Sequence, residues 1–236
     1  MFRYRFYLAA SLVASLAAVS LAAAQGTLAD EGSFTLSRDG DRVGREDFSI
    51  RHVPTTGGAF EILTRGVVVL GAQRRTVDLS ADSAGLPIRF QAKTIVDGKA
   101  TDTYRAEVLG RRMSARSVRA DGESAREILL PAGTLLVDDG IFHLLQFVVA
   151  RGAGASVQAV VPSRGIVVTL TVQDAGADHV AIALQSIEAH KYVVREAAGG
   201  AVREVWVDGT GRLLKVALPA QRLVAVRDDA PRSTPR

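Results

Sequence analysis

Apolar and polar residues alternate with a period of two over most of this chain. Leu86, Ile88, Phe90 and Ala92 alternate with Pro87, Arg89, Gln91 and Lys93, and Tyr104, Ala106 and Val108 alternate with Arg105 and Glu107. Ile166, Val168, Leu170 and Val172 follow the same rule, as do Val180, Ile182 and Leu184, then His190, Tyr192 and Val194, then Leu214, Val216 and Leu218. Successive side chains of a strand point to opposite faces, so each run predicts a strand with one buried face. Asp-Gly stands at 39–40, 97–98, 121–122 and 208–209, between these runs. It tolerates the positive φ angles of tight hairpins. Turn signals recurring about every ten residues predict an all-β, mainly antiparallel domain. The expected form is a strongly curved sheet or barrel of about 10–12 strands.

One segment breaks the alternation. Between Asp138 and Gly152, Ile141, Leu144, Leu145 and Val148 follow helical spacing, and Phe142, Phe147 and Val149 widen the apolar face. A helix apolar nearly all round is a buried one. Asp138 or Asp139 is placed to cap it, and Gly152 to end it. The segment predicts one short helix plugging a curved sheet, with a buried strand as the alternative. Phe142→Asp or Leu145→Asp should then prevent folding, whereas His143, on the polar stripe, should tolerate truncation.

The first 24 residues read differently. Arg3 and Arg5 precede an uncharged apolar run from Leu8 to Ala23, and Ala22-Ala23-Ala24 fits a small-residue cleavage site. This is the layout of a signal peptide. The run is shorter than the roughly 20 residues of a spanning helix, and no later stretch is long and apolar enough to span a bilayer. The expectation is a domain at 25–236 secreted to a bacterial periplasm, with a loose arm at 25–31. The tail from Asp228 holds no large apolar residue beyond Arg227 and is expected to be disordered.

Composition changes this picture in few ways. The chain of 236 residues has no Cys, so it has neither a disulfide scaffold nor a cysteine nucleophile. Its net charge of +4 falls to +2 once Arg3 and Arg5 are removed. Only four basic residues are Lys, and Asn is absent, which marks a GC-rich coding bias and weakens every Arg as a phosphate signal.

Candidate chemistry is sparse. There is no P-loop, dinucleotide fingerprint or Gly-x-Ser-x-Gly elbow. His52, His143, His179 and His190 form no short-range ligand pair, and Asp138-Asp139 and Asp228-Asp229 are neighbours that cannot face each other. No catalytic residue, metal site or cofactor is expected. Arg74-Arg75 and Arg111-Arg112 are strand-start doublets without interleaved aromatics, so nucleic acid is not an expected partner. His143 stands four residues after Asp139: either the two form an Asp–His pair at a cavity mouth, or the aspartate caps and the imidazole donates to a carbonyl. Trp206 is either a core residue or part of a cavity wall.

Three segments look familiar together. They are Gly-Arg-Glu-Asp-Phe-Ser-Ile at 44–50, Leu-Leu-Val-Asp-Asp-Gly-Ile-Phe-His-Leu-Leu at 135–145, and the Val205–Val216 hairpin with its Asp-Gly turn. They resemble bacterial secreted β-barrel-like proteins of unknown function, similar in layout to the lipoprotein-carrier half-barrels, which wrap a curved sheet around helices and acyl chains. This chain has one helix where the carriers have several. Barrels and curved sheets of this size can enclose a ligand, so the leading expectation is a non-enzymatic periplasmic binder of an apolar ligand such as a lipid acyl chain. Phe142, His143, Phe147, Tyr192 and Trp206 are its expected contacts. The alternative is an envelope protein–protein interaction or assembly module with a filled core, and an enzyme is third.

Overall fold

The Asp-Gly dipeptides turn the chain as the alternation requires. Asp39 and Gly40 adopt φ of 53° and 92°, and Asp97 and Gly98 adopt 49° and 77°, the left-handed pairs of two-residue hairpins. The structure, a computed structural model, describes residues 26–231. The segment read as a signal peptide and the last residues of the tail lie outside them.

Eight strands run out from the start of the described chain: β1 (Thr27–Arg38), β2 (Asp41–Pro54), β3 (Phe60–Leu70), β4 (Gln73–Ala81), β5 (Pro87–Val96), β6 (Lys99–Leu109), β7 (Arg112–Arg119) and β8 (Gly122–Leu129). After β9 (Leu135–Leu136) and the helix α1 (Leu145–Val149), six more return: β10 (Ser156–Val161), β11 (Ile166–Ile182), β12 (Gln185–Glu196), β13 (Val202–Val207), β14 (Leu213–Leu218) and β15 (Leu223–Arg227). All fifteen form one sheet, in the order β8 to β1, then β15 down to β9. Every pairing is antiparallel except β9 with β10. Open sheets rarely exceed about 10 strands without curling, and this one curls into a barrel-like wall whose two ends, β8 and β9, do not pair. The count exceeds the expectation because two-residue β9 and hairpins without Asp-Gly, such as the turn at Ala183-Leu184, carry no composition signal.

The order places β1 and β15 in the middle of the sheet, joined from Phe34 opposite Arg227 to Arg38 opposite Leu223. Arg227 fixes this junction. Its guanidinium, almost wholly buried, donates to both oxygens of Asp30 at 2.8 and 3.0 Å and to the carbonyl of Glu31, and lies where a Cβ on Gly32 would be. The loose arm expected at 25–31 is therefore strand from Thr27 onward. Asp228, the expected start of disorder, is also held. Its carboxylate accepts from Ser33 and Thr35 at 2.6 Å each, and its backbone N–H donates to the Ser33 carbonyl.

With β1 central, the link from β8 to β10 must join opposite ends of the sheet, and it does so through the interior. Leu130, Leu135, Leu136, Val137, Ile141, Phe142, Leu144, Leu145, Val148 and Val149 are buried in the main core with the inner faces of the strands. The helix has five residues rather than the fifteen that the spacing spans, and Leu144 occupies its N-cap without a side-chain bond. Asp138 and Asp139 are not caps. Asp138 pairs with Arg75 of β4 and accepts from the Ser163 N–H at 2.8 Å, while Asp139 faces Arg164 at 3.2 Å. The apolar pattern of this segment reflects encasement on all sides, which does not require a helix.

The inserted segment brings backbone N–H groups into the core ahead of its helix, and they need acceptors. Glu46 of β2, fully buried, supplies one. Its carboxylate accepts from the Phe142 N–H at 2.9 Å and from the His143 ring Nδ1 at 2.6 Å. The other ring nitrogen, Nε2, is hydrogen-bonded to the Thr64 hydroxyl at 3.1 Å, so the imidazole bridges β2 and β3. Gly66 makes the space, since a Cβ there would stand 2.6 Å from His143 Cε1. Phe48 stacks on the imidazole at 5.6 Å between centroids. His143 thus pairs with a residue 97 positions away, not with Asp139 or a backbone carbonyl.

A second, smaller core lies on the outside of the sheet. β11 bulges between Asp174 and Ala177, and beyond the bulge Val180, Ile182 and Ala189 pack on Trp206, Leu214 and Ala217. Val205 and Val207 face the main core, so β13 is buried on both sides. Leu184, which the alternation assigns to the inward row, sits at the hairpin tip with φ of 67° and is fully exposed.

Removing one partner of a buried hydrogen-bonded pair leaves the other's polar atoms unsatisfied, at about 1–3 kcal/mol. Glu46→Ala and His143→Ala should each lose stability of that order in urea denaturation, reversing the tolerance expected of His143 from its sequence position. A loss below about 1 kcal/mol, the level of a single ordinary hydrogen bond, would show that the segment is held by its apolar contacts alone.

Candidate functional site

Strand register carries a polar patch to the unclosed edge. Tyr104 of β6, Ser117 of β7 and Ser124 of β8 stand in one row, and Ala106, Ala115 and Arg126 in the next. Both rows lie in phase with buried Met113, so they point inward. Across the gap stands the β10–β11 turn, Pro162–Gly165. Between them is a cavity of about 140 Å³ lined by Tyr104, Ala115, Ser117, Arg119, Ser124, Arg126 and that turn. The small side chain of Ala115 helps to leave this space.

The lining contains three arginines and no carboxylate. Arg164 is committed to Glu196, donating to both oxygens at 2.8 and 2.9 Å. Arg119 faces Asp102 at 3.5 Å. Arg126 makes no hydrogen bond or ion pair among the described residues. Its guanidinium occupies the place a side chain at 165 would take, and Gly165 itself has φ of 64°, so this position is suited to glycine for two reasons.

Tyr104 forms the floor. Its ring meets Phe90 edge-on at 6.0 Å, and its hydroxyl is buried with no hydrogen-bond partner. Burial, then the charge of Asp138, pushes the phenol up from 10.0 to about 12, against a smaller opposing effect of Arg126. The hydroxyl therefore remains a donor throughout the neutral range.

The residues singled out in the sequence fall into separate places. Phe142 and His143 are brought together in the main core, and Phe147 is half-buried against Gly85. Tyr192 is half-buried beside His190, 4.8 Å between rings, and His190 bonds to Asp174 at 2.8 Å. Trp206 lies in the outer core, donating to Asp178 at 2.7 Å between the ammonium groups of Lys191 and Lys215. None of the five lines the cavity at the sheet edge. Sequence reasoning missed Arg126, Ser117 and Ser124. Only the inward phase of Tyr104, Ala106 and Ala115 pointed toward them.

A wider groove of about 430 Å³ runs across the outside of β2–β5. It is open; Arg65 faces Asp78 there at 3.7 Å, and Arg51 and Arg89 also line it.

A phenol raised in the folded state releases its proton later than in the unfolded chain. Its contribution to stability is complete below pH 10 and is lost as the pH rises toward 12. Absorbance titration at 295 nm should show a tyrosine ionising near 12 that disappears in Tyr104→Phe, and that variant should lose less stability across the same window. Normal ionisation of Tyr104 near pH 10 would mean that the hydroxyl reaches solvent.

No protein-family model matches the sequence, and no curated protein does. A solved structure does match in fold. It is described as a β-barrel-like protein of domain of unknown function DUF1849 from Brucella abortus, 12% identical, with a TM-score of 0.57 over 86% of this chain and 95% of that one. The chain shares the architecture of a bacterial β-barrel-like protein of unknown function.

Proposed function

We propose that this chain is a non-enzymatic binding protein of the bacterial envelope that takes an amphiphile at the open edge of its sheet. The polar group of the ligand enters the cavity over Tyr104. Its apolar part, the acyl chain expected from the sequence, leaves along the inner side of β8, where Ile128 shares the inward phase and is only half-buried. The observation that carries this reading is the buried Tyr104 hydroxyl without a partner. Such a group costs about 1–3 kcal/mol, and a ligand acceptor would recover it.

The size of the cavity supports a single anchored group. Sites for whole small molecules are about 300–1,000 Å³, whereas this one holds about 140 Å³. The concave interior, where a half-barrel would hold an acyl chain, is filled here by residues 141–149. Support for a non-catalytic role comes from the placement of the acid–base candidates: Glu46 and His143 are fully buried and outside the cavity lining. The envelope address rests on the amino-terminal segment.

Ser117→Trp, which fills the cavity, tests the reading. After incubation with total envelope lipids, native mass spectrometry should find an adduct on the wild type and none on the folded variant. No adduct on either protein would overturn the reading. An adduct on both would move the ligand elsewhere, with displacement of the inner segment as the route.

A further inference from the structure

Resting on that reading, we infer that the group bound over Tyr104 is an oxyanion, a carboxylate or a phosphate. The residues that line the cavity offer donors and positive charge in excess of acceptors, with the Asp138 charge felt at Tyr104 coming from outside the lining. Tyr104 presents an O–H with nothing to receive it. Arg126 presents a guanidinium with no carboxylate of its own among the described residues, whereas Arg119 and Arg164 have theirs. Ser117 and Ser124 share one hydrogen bond at 2.9 Å, in which only one of the two hydroxyls donates, so the other is available to a ligand.

The alternatives fit less well. A cationic group would meet three arginines and no carboxylate in the lining. A neutral hydroxyl would satisfy Tyr104 but leave the charge of Arg126 unanswered. A planar or tetrahedral oxyanion accepts from both, and guanidinium is the side chain best matched to either geometry. Gly165 strengthens the case, because its missing Cβ lets the exposed guanidinium lie at the cavity mouth.

The test is calorimetric titration at low ionic strength with four probes: inorganic phosphate, dihexanoyl phosphatidic acid below its micellar concentration, hexanoate as the carboxylate probe, and octyl glucoside as a nonionic amphiphile. The phosphatidic acid should bind, and Arg126→Gln should weaken it tenfold or more, the usual loss for a hydrogen bond to a charged group. Tyr104→Phe should weaken it about fivefold, the loss of an ordinary hydrogen bond. Arg126 has no protein partner, so the melting temperature of Arg126→Gln should match the wild type. Phosphate binding as tightly as the lipid would identify a free anion as the ligand, and lipid binding alone would identify a headgroup; both support the assignment. Failure of both phosphate probes and of hexanoate would overturn it, as would unchanged affinity in Arg126→Gln. Octyl glucoside binding as well as the lipid, and lost in Ser117→Trp, would overturn the oxyanion while leaving the amphiphile reading standing.

Discussion

The Glu46 carboxylate is the peg on which this architecture hangs. A sheet that starts in its own middle must send a connection from one end to the other, and here the connection runs through the core. Seven residues from Asp138 to Leu144 precede the helix, with few backbone bonds of their own. Without an acceptor on the wall, donors at Phe142 and His143 would be buried unsatisfied. Glu46 receives them, the imidazole passes the chain of bonds to Thr64, and Gly66 opens the space in which the ring sits. Three residues on two adjacent strands thus decide what fills the interior. Once it is filled by the chain itself, the wall has no further reason to close.

An unclosed sheet has edges to protect. β9 is two residues long and exposes little. β8 runs for eight residues, exposed at all but Ile128, and is studded with Glu123, Arg126 and Glu127. Charges on an edge discourage pairing with another chain. Glu123 and Glu127 point outward and pair with Arg116 and Arg112 of β7. Arg126 lies in the opposite phase, on the inner side, where a charge also discourages pairing of the edge.

The strands were legible because a half-buried strand writes its geometry into sequence with a period of two. The Asp-Gly turns were legible because few residue pairs tolerate two successive left-handed conformations. Encasement has no such signature: residues 141–149 are apolar because neighbours surround them, and the pattern imitates a longer helix. Glu46 and His143 were opaque because their partnership spans 97 positions. Trp206 was ambiguous for a concrete reason. A bulge at Asp174–Ala177 folds the β11–β12 hairpin over the outer face of β13, so both phases of that strand are buried. Arg126 was hidden by composition, since a chain that uses arginine for nearly every positive charge gives no single one of them prominence.

The polar row at the edge follows from the same constraint. Pairing β8 with the far end of the sheet would carry Arg126 into the core beside the Tyr104 hydroxyl, with no carboxylate in the lining to answer it. Burying an unpaired charge costs several kcal/mol, more than one added strand pairing would return. The inward charge therefore holds the barrel open, and the opening gives that charge access to solvent. An acceptor entering from outside would satisfy the phenol and the guanidinium together without requiring the wall to close. In the proposed reading, the edge that folding leaves open is where that acceptor enters.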